Sequence, residues 1–564
     1  FDDSLYLKED AGKMLIGIFE GKSIPAFNKT NKVPEDFSFG EFPENFEHFE
    51  PYLEASLKRV PILQKAGIRK FFAGPESFTP DTNTLLGEVP EIRNLFSCCG
   101  LNSIGIGSAG GVGKVTAEWM MKGHINEDLF IYDIKRFEKF HSKISFIKER
   151  VTETLGDLYG MHWPYKQHKT SRNQKTLPYH EELKNAGACF GVVGGYERPM
   201  WFSIKEKIPE HEYSYNYQNW YPSVEYETKN TRKNVGLFDL TPFAKFELKG
   251  EQSHLELQRI CTANIKNEKG RTTYTQMLNK DGGIESDLTV VCLDKNHFRI
   301  VSSAAVRIRD KHHILKHLDP KVEFKDVTED YACLGLFGPK SRDLITELAG
   351  DCFKTKDFPF ATGKNITIEN TKIWAQRLSF VGELGWELYI PIKESKKIYN
   401  TIVEIGKKYK LCHAGVHAVD TLRMEKGYLH WGHDISPEEN QYESGLSFAI
   451  SFKKNIDFIG KSFIKKIQNS EPKKKLIILS LKESKPGYPL LLHDEPIYCN
   501  GKIIGRTTSG NYSFNYEKNI SFGYISSDIK FDQQLIEIEV EKKKYKAVIE
   551  PTALHDPQNK ILKA

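Results

Sequence analysis

Arg377-Leu378-Ser379-Phe380-Val381-Gly382-Glu383-Leu384-Gly385-Trp386-Glu387 is the stretch on which the reading of this chain turns. Its two glycines read as a turn, and Trp386 and Glu387 open the strand that follows. A carboxylate at Glu387 can accept two parallel hydrogen bonds from the edge of a planar ligand. It can equally face water, and spacing alone leaves both open. Upstream lie Val235-Gly236-Leu237-Phe238-Asp239-Leu240-Thr241, Met277-Leu278-Asn279, Gly282-Gly283-Ile284-Glu285-Ser286-Asp287-Leu288 and Gly338-Pro339. Downstream lie Asp420-Thr421-Leu422-Arg423-Met424-Glu425-Lys426-Gly427, Asp457-Phe458-Ile459-Gly460-Lys461 and Thr508-Ser509-Gly510. Asp287 follows a Gly-Gly pair, where an aspartate also serves as an ordinary turn cap.

Strands and amphipathic helices alternate from Val235 to about Asn469. From about Lys475 to Val548 short alternating segments with glycine turns, such as Tyr498-Cys499-Asn500-Gly501-Lys502, predict a small all-β domain. Ser470 to Lys475 reads as a linker. At about 150 residues per domain, 564 residues have room for three or four domains. The 80 Lys and Arg against 75 Asp and Glu leave a net charge of only +5, so no field favours nucleic acid. No apolar run is long enough to span a membrane. Nine cysteines with no CxxC pair point to a reducing compartment and against a disulfide scaffold or structural zinc.

The first part of the chain opens on Phe1, within an alternation that reads as two strands turning at Asp10-Ala11-Gly12. A domain seldom starts mid-sheet, so the expectation is that an N-terminal part precedes residue 1. Phe46 to Ala66 predicts a helix, Asn94 to Cys99 a buried strand, Gly100 to Gly113 a glycine loop, and Lys114 to Lys122 a helix closed by Gly123. Gly105-Ile106-Gly107-Ser108-Ala109-Gly110 fits GxGxxG, yet no acidic ribose partner follows. A phosphate loop is excluded by Ser108 and Val115, which replace its required Gly and Ser or Thr. Two readings remain: tight strand-to-helix packing, or a loop and helix N-terminus lying against a cofactor ring.

Asn102 to Gly113, with Gly74-Pro75-Glu76-Ser77-Phe78-Thr79-Pro80-Asp81 upstream, resembles the end of the flavin domain in amine-oxidising flavoenzymes of the sarcosine and dimethylglycine dehydrogenase family. The blocks from Val235 to Gly510 resemble the aminomethyltransferase (T-protein) of the glycine cleavage system. The resemblance implies a multidomain α+β and α/β chain. The C-terminal part of a glutathione-reductase-like flavin amine-oxidase domain (1–130) and a connecting segment (131–232) come first. A T-protein-like folate-binding aminomethyltransferase fold (233–469) and a small β-barrel (470–564) follow.

It further implies FAD beside Leu101, Asn102, Ser103, Ile104 and Gly105, with the covalent attachment His upstream of this chain. Tetrahydrofolate would bind near Phe380 and Glu387, with Asp287 as the catalytic residue. The expected activity is oxidation at a CH–NH bond: demethylation of sarcosine to glycine, the one-carbon unit passing to tetrahydrofolate as 5,10-methylenetetrahydrofolate. Glu197-Arg198-Pro199-Met200-Trp201-Phe202 and Glu425-Lys426-Gly427-Tyr428-Leu429-His430-Trp431 look like the sarcosine-oxidising members, with dimethylglycine as the alternative substrate. An electron acceptor such as electron-transfer flavoprotein is implied, as is the bacterial cytoplasm or, in a eukaryote, the mitochondrial matrix.

The chain departs from these patterns at three positions. Phe380 stands where a Tyr is usual, Val419 where T-protein has a folate-tail arginine, and Gly107 where simpler sarcosine oxidases have a lysine. A regulatory subunit of the pyruvate dehydrogenase phosphatase type shares the architecture and is the non-enzymatic alternative. No metal site is expected: His312, His313 and His317 lack a further ligand and read as a solvated helix face. The aromatic run 213–221 lacks interleaved basic residues and reads as packing between domains.

Overall fold

The computed structural model describes residues 3–205, 209–350, 353–529 and 535–564. They form two compact units, one of residues 1–123 and 131–174 and one of 124–130 and 175–564. The segment 131–232, expected as one connecting piece, is therefore divided. Its second part joins the later unit because Tyr196 and Phe202 are buried in the same core as Val235 and Leu237.

In the first unit β1 (Leu5–Asp10) and β2 (Lys13–Ile18) pair antiparallel through a turn whose Ala11 and Gly12 are both left-handed. Helix α1 (Phe46–Arg59) is capped by the Asn45 carboxamide, which accepts from the His48 N–H at 3.0 Å. It stops before the expected Ala66 because Pro61 brings no N–H and disfavours helical backbone at Val60. β3 (Leu85–Glu88) and β4 (Phe96–Cys99) pair antiparallel. The expected buried strand at 94–99 is shorter and partly open, with Cys98 and Cys99 exposed.

A larger correction concerns the glycine loop. Helix α2 spans Gly105–Lys122, so the GxGxxG stretch is the first part of the helix itself. Trp119 explains how so glycine-rich a segment holds. It is buried over Gly87 of β3, where a Cβ would lie 2.6 Å from the indole, and the Lys135 ammonium sits 4.9 Å from its ring. Packing fixes the later turns, and the glycine turns propagate from them at low cost per residue. Helix α3 (Ile144–Leu158) follows.

The second unit begins with α4 (His180–Asn185), β5 (Ala188–Val193), β6 (Tyr196–Phe202), α5 (Tyr221–Lys233) and β7 (Val235–Asp239). Next come β8 (Ala244–Lys249), α6 (Ser253–Ile260), β9 (Thr272–Leu278), β10 (Ile284–Asp294), β11 (His297–Ser302), α7 (Arg307–His317) and β12 (Glu323–Asp326). These are followed by β13 (Tyr331–Phe337), α8 (Ser341–Ala349), β14 (Gly363–Ile368), β15 (Thr371–Gln376) and β16 (Gly385–Pro391), then α9 (Ser395–Gly406), β17 (Leu411–Ala414), α10 (Val416–Lys426) and α11 (Lys461–Ile467). The last strands are β18 (Lys474–Leu481), β19 (Pro496–Cys499), β20 (Lys502–Ser513), β21 (Lys518–Ser526), β22 (Ile536–Val540) and β23 (Lys543–Glu550).

One antiparallel sheet has the order β12-β8-β11-β10-β9, and a second has the order β14-β15-β16-β13-β7-β17 with β17 parallel to β7. β5 and β6 pair as a separate antiparallel ribbon, and the last six strands close into a barrel, β18-β21-β20-β19-β22-β23, which leaves no free edge. The expected linker is shorter than read, since β18 already begins at Lys474. Each sheet buries one face under helices: Leu334, Leu336, Trp386 and Leu388 under Leu344, Ile345, Ile398 and Ile402, and Phe246, Val290 and Ile300 under Leu257, Ile260 and Ile314.

Charged groups tie these layers together. Arg423 of α10 donates to Asp434 at 2.6 Å, to Asp420 at 2.9 Å and to Ser509 of β20 at 2.8 Å. Near the C-terminus, His555 lies 2.9 Å from Glu383 and Lys426 bonds Asp556. The carbonyl of Ala564 accepts from Arg342 at 2.6 Å, from Thr355 at 2.7 Å and from Arg377. The aromatic run also packs between layers: Trp220 stacks on His417 of α10 at 4.9 Å, and Tyr221 meets Phe514 edge-on at 5.6 Å.

Gly338 gives a direct test of the turn after β13. Its φ is +136°, and a Cβ there would lie 2.3 Å from the Asn234 carbonyl oxygen and 2.6 Å from that of Thr231. Both are backbone atoms at the end of α5 and cannot swing aside. Gly338→Ala is expected to cost about 2 kcal/mol, read as a lower midpoint of urea unfolding at unchanged slope.

Candidate functional site

The expected site residues fall in two places. In the first unit, Leu101, Asn102, Ser103, Ile104 and Gly105 form the approach to α2. Gly100, Asn102 and Ser103 all have left-handed backbone, which coils the chain tightly before the helix. Asn102 is buried and holds this coil: its carboxamide oxygen accepts from the Thr79 N–H at 2.8 Å, and its nitrogen donates to the Gly100 carbonyl at 2.6 Å. Ser103 donates to Glu76 at 2.8 Å. No side chain caps α2, so the positive end of the helix is left open at Gly105 and Ile106. Gly107 has open space around it.

In the second unit, Asp287 and Glu387 lie on different sheets. Asp287 is within β10, opposite Gln276 of β9, so the turn-cap reading is overturned. The cap of the Gly-Gly turn is Asn279, whose side-chain oxygen accepts from the N–H groups of Asp281 and Gly283. The Asp287 carboxylate accepts from the Gln276 amide at 2.8 Å and from the Tyr274 phenol. Burial nonetheless pushes its pKa up to about 6.

Glu387 lies on β16, between Gly335 of β13 and Gln376 of β15. It accepts from Tyr389, two residues along on the same face, at 2.8 Å. Burial raises it to about 6 as well. Arg299 of β11 braces this wall: its guanidinium lies 5.2 Å from the Tyr389 ring and pairs with Glu247 at 2.7 Å.

Side chains link the two sheets. Gln376, in register with Glu387, donates to Thr272 of β9. Phe380 stacks on Tyr428 at 6.0 Å, and the Tyr428 phenol acts in turn on Tyr274, the partner of Asp287. Tyr274 stacks on Phe448 at 6.0 Å. Phe380 thus stands against Tyr428, whose phenol bears electrostatically on the partner of Asp287, and Glu387 lies in register with Gln376, which reaches β9. Sequence reading missed Tyr274, Gln276, Tyr389, Tyr428 and Gln441. Only strand alternation could have flagged Tyr389, as a period-two neighbour of Glu387, and Tyr274 only through its period-two neighbour Gln276 once β9 is paired with β10.

The histidine cluster is corrected. His313 and His317 are not a solvated face: their rings meet at 4.8 Å, and burial drives both imidazoles to the neutral form, His317 to about 4. Among the described residues one trio has metal-like spacing, Glu153, Asp157 and His168 of the first unit. Lys166 already supplies positive charge there, 2.5 Å from Asp157. None of the eight described cysteines is joined in a disulfide. Among the described residues no helix is long and apolar enough to cross a membrane.

Comparison with known proteins agrees with this layout. The family of FAD dependent oxidoreductases matches residues 1–119, and its central domain matches 122–176. The GCVT N-terminal domain matches 179–454 and the glycine cleavage T-protein C-terminal barrel domain 474–556. In fold, the chain resembles the crystal structure of the glycine cleavage system aminomethyltransferase T from Bartonella henselae, with a TM-score of 0.59 and 20% identity over 68% of this chain and 99% of that one. Fold and domain matches together define an FAD-dependent oxidoreductase joined to an aminomethyltransferase-like fold with a terminal barrel.

In sequence, the chain is 35% identical to 4-methylaminobutanoate oxidase (formaldehyde-forming) of Paenarthrobacter nicotinovorans, over all of this chain and 68% of that protein. It is 31% identical to mitochondrial sarcosine dehydrogenase of Mus musculus, over 93% of this chain and 61% of that protein. The chain belongs to the family of sarcosine and dimethylglycine dehydrogenases and the related 4-methylaminobutanoate oxidase. It spans roughly two thirds of the length of these relatives.

Proposed function

We propose that this protein serves the oxidative demethylation of a small N-methyl amino acid, sarcosine in the first place, and passes the one-carbon unit to tetrahydrofolate. Sarcosine and tetrahydrofolate would give glycine and 5,10-methylenetetrahydrofolate, with two electrons and two protons removed. FAD, when bound, supplies the two-electron oxidation of the N-methyl carbon. The open end of α2, reached through Leu101 to Gly105, suits that cofactor because uncapped amides favour negative charge developing beside them. Electrons would pass on to an acceptor such as electron-transfer flavoprotein.

The observation that carries the folate half is the pair of half-buried carboxyls, Asp287 and Glu387, each held by a tyrosine and each raised to about 6. Glu387 has one oxygen bonded by Tyr389 and suits the amide and amino edge of a pterin. Phe380 and Tyr428 offer a stacked aromatic wall. Asp287 would take the proton released when a folate nitrogen forms its bond to the iminium carbon.

The test uses the full chain. Tetrahydrofolate binding is measured by calorimetry, and turnover is compared on sarcosine, dimethylglycine and 4-methylaminobutanoate. Glu387→Gln is expected to weaken folate binding roughly tenfold to a hundredfold, the range for a hydrogen-bonded charge. No folate binding by the unaltered chain would overturn the reading. Turnover on 4-methylaminobutanoate alone would keep the chemistry and replace the substrate.

A further inference from the structure

The carboxamide of Gln276 faces Asp287 with its nitrogen at 2.8 Å, yet a carboxamide can present either end to a neighbour. A chain of buried groups decides which. It starts at the carbonyl of Ala449, which can only accept. The Thr262 hydroxyl lies 2.9 Å from that oxygen and must spend its one proton there. Thr262 therefore accepts from Gln441, whose amide nitrogen is 3.0 Å away. The same nitrogen points its second hydrogen at the Gln276 oxygen, 2.6 Å away. With its oxygen engaged, Gln276 has only its N–H to offer Asp287. Thr262, Gln276 and Gln441 are all fully buried, so water does not offer the amides a second orientation.

We propose that Gln441 is a positioning residue: anchored by Thr262, it locks the Gln276 amide so that an N–H always faces Asp287 and keeps that carboxyl an acceptor. This rests on the reading of Asp287 as the group that takes the proton. A flipped Gln276 would place its oxygen against Asp287, and only the protonated acid could bond to it. The lock therefore favours the carboxylate before any ligand arrives. Other groups do not compete for this effect. From β9 the Tyr274 phenol donates to Asp287, and behind it stands the Tyr428 phenol from the segment after α10. Among the described residues no lysine, arginine or histidine contributes charge to Asp287.

The test reads the carboxyl directly. The full chain is labelled with carbon-13 at the aspartate carboxyls and titrated by infrared spectroscopy. Subtracting the Asp287→Asn spectrum isolates the Asp287 band. Gln441→Leu is expected to raise the midpoint by about one pH unit, a roughly tenfold change in acidity. Thr262→Val, nearly isosteric and with a side chain that does not reach Asp287, is expected to move it the same way by less. It keeps the test decisive if Gln441→Leu does not fold. Midpoints unchanged or lowered in these variants would overturn the lock. Raised midpoints with normal methylene transfer in Asp287→Asn would uphold the lock and remove the catalytic role of Asp287.

Discussion

Replacing Asp287 by asparagine is expected to cut formation of methylenetetrahydrofolate by roughly 10²- to 10³-fold, the scale of a lost general base. Binding of tetrahydrofolate should change far less. Asparagine has the size of aspartate and still accepts from Gln276, so the wall keeps its shape. What it loses is the ability to take a proton. Amine oxidation should continue, and the one-carbon unit should then leave as formaldehyde by hydrolysis of the iminium. The pH profile gives a second check. Asp287 is neutral below about 6 and charged above it. Methylene transfer in the unaltered protein should therefore rise with pH through that region and level off. Glu387 titrates in the same range, so the limb must disappear in Asp287→Asn while persisting in Glu387→Gln. Full methylene transfer by Asp287→Asn would remove the residue from the chemistry.

The largest expected effect on stability comes from Arg423→Met. The guanidinium is almost wholly buried, and it answers Asp434, which has no exposure, and Asp420. Methionine fills similar space and leaves both carboxylates without their counter-charge. Breaking a buried pair in this way costs about 3–5 kcal/mol. The variant should show a clearly lower thermal midpoint, monitored on the β-rich second unit by circular dichroism. Arg423→Lys should recover only part of the loss, because one ammonium cannot reproduce the fork that reaches Asp434, Asp420 and Ser509 together. An unaltered midpoint would mean that the network is not what holds α10 to the barrel.

Much of this architecture was legible before any coordinates. The alternation after Lys475 and the Asn500-Gly501 turn foretold a small all-β domain, because each short strand shows its period locally, while the barrel came from the family resemblance. The turn at Gly382 to Gly385 placed Glu387 on a strand for the same reason. Gly105 to Gly113 misled, since glycine signals conformational freedom and not how that freedom is used. What made it helical was Trp119 settling over Gly87, a contact no local pattern carries. Asp287 was found as a candidate but misread as a possible cap, because the neighbouring glycines suggested a turn while the cap itself was Asn279. Gln441 lay beyond reach altogether. It meets Gln276 across 165 positions of sequence, and an isolated glutamine in a polar loop carries no signal of that meeting.

The anchoring of residues 555–564 bears on how the protein is made. Glu383, Arg377 and Arg342 are in the middle of the chain, but part of what answers them is supplied by His555 and Ala564. A ribosome adding about 5–20 residues per second needs roughly ten seconds or more to travel from one set to the other. During that interval Glu383 is answered by Arg232, Arg377 by the Phe358 carbonyl and Arg342 by Thr355, while their contacts from His555 and Ala564 are still missing. Residues 555–564 therefore add the last contacts to this fold as the chain is made, and removing them would leave Glu383, Arg377 and Arg342 short of those contacts.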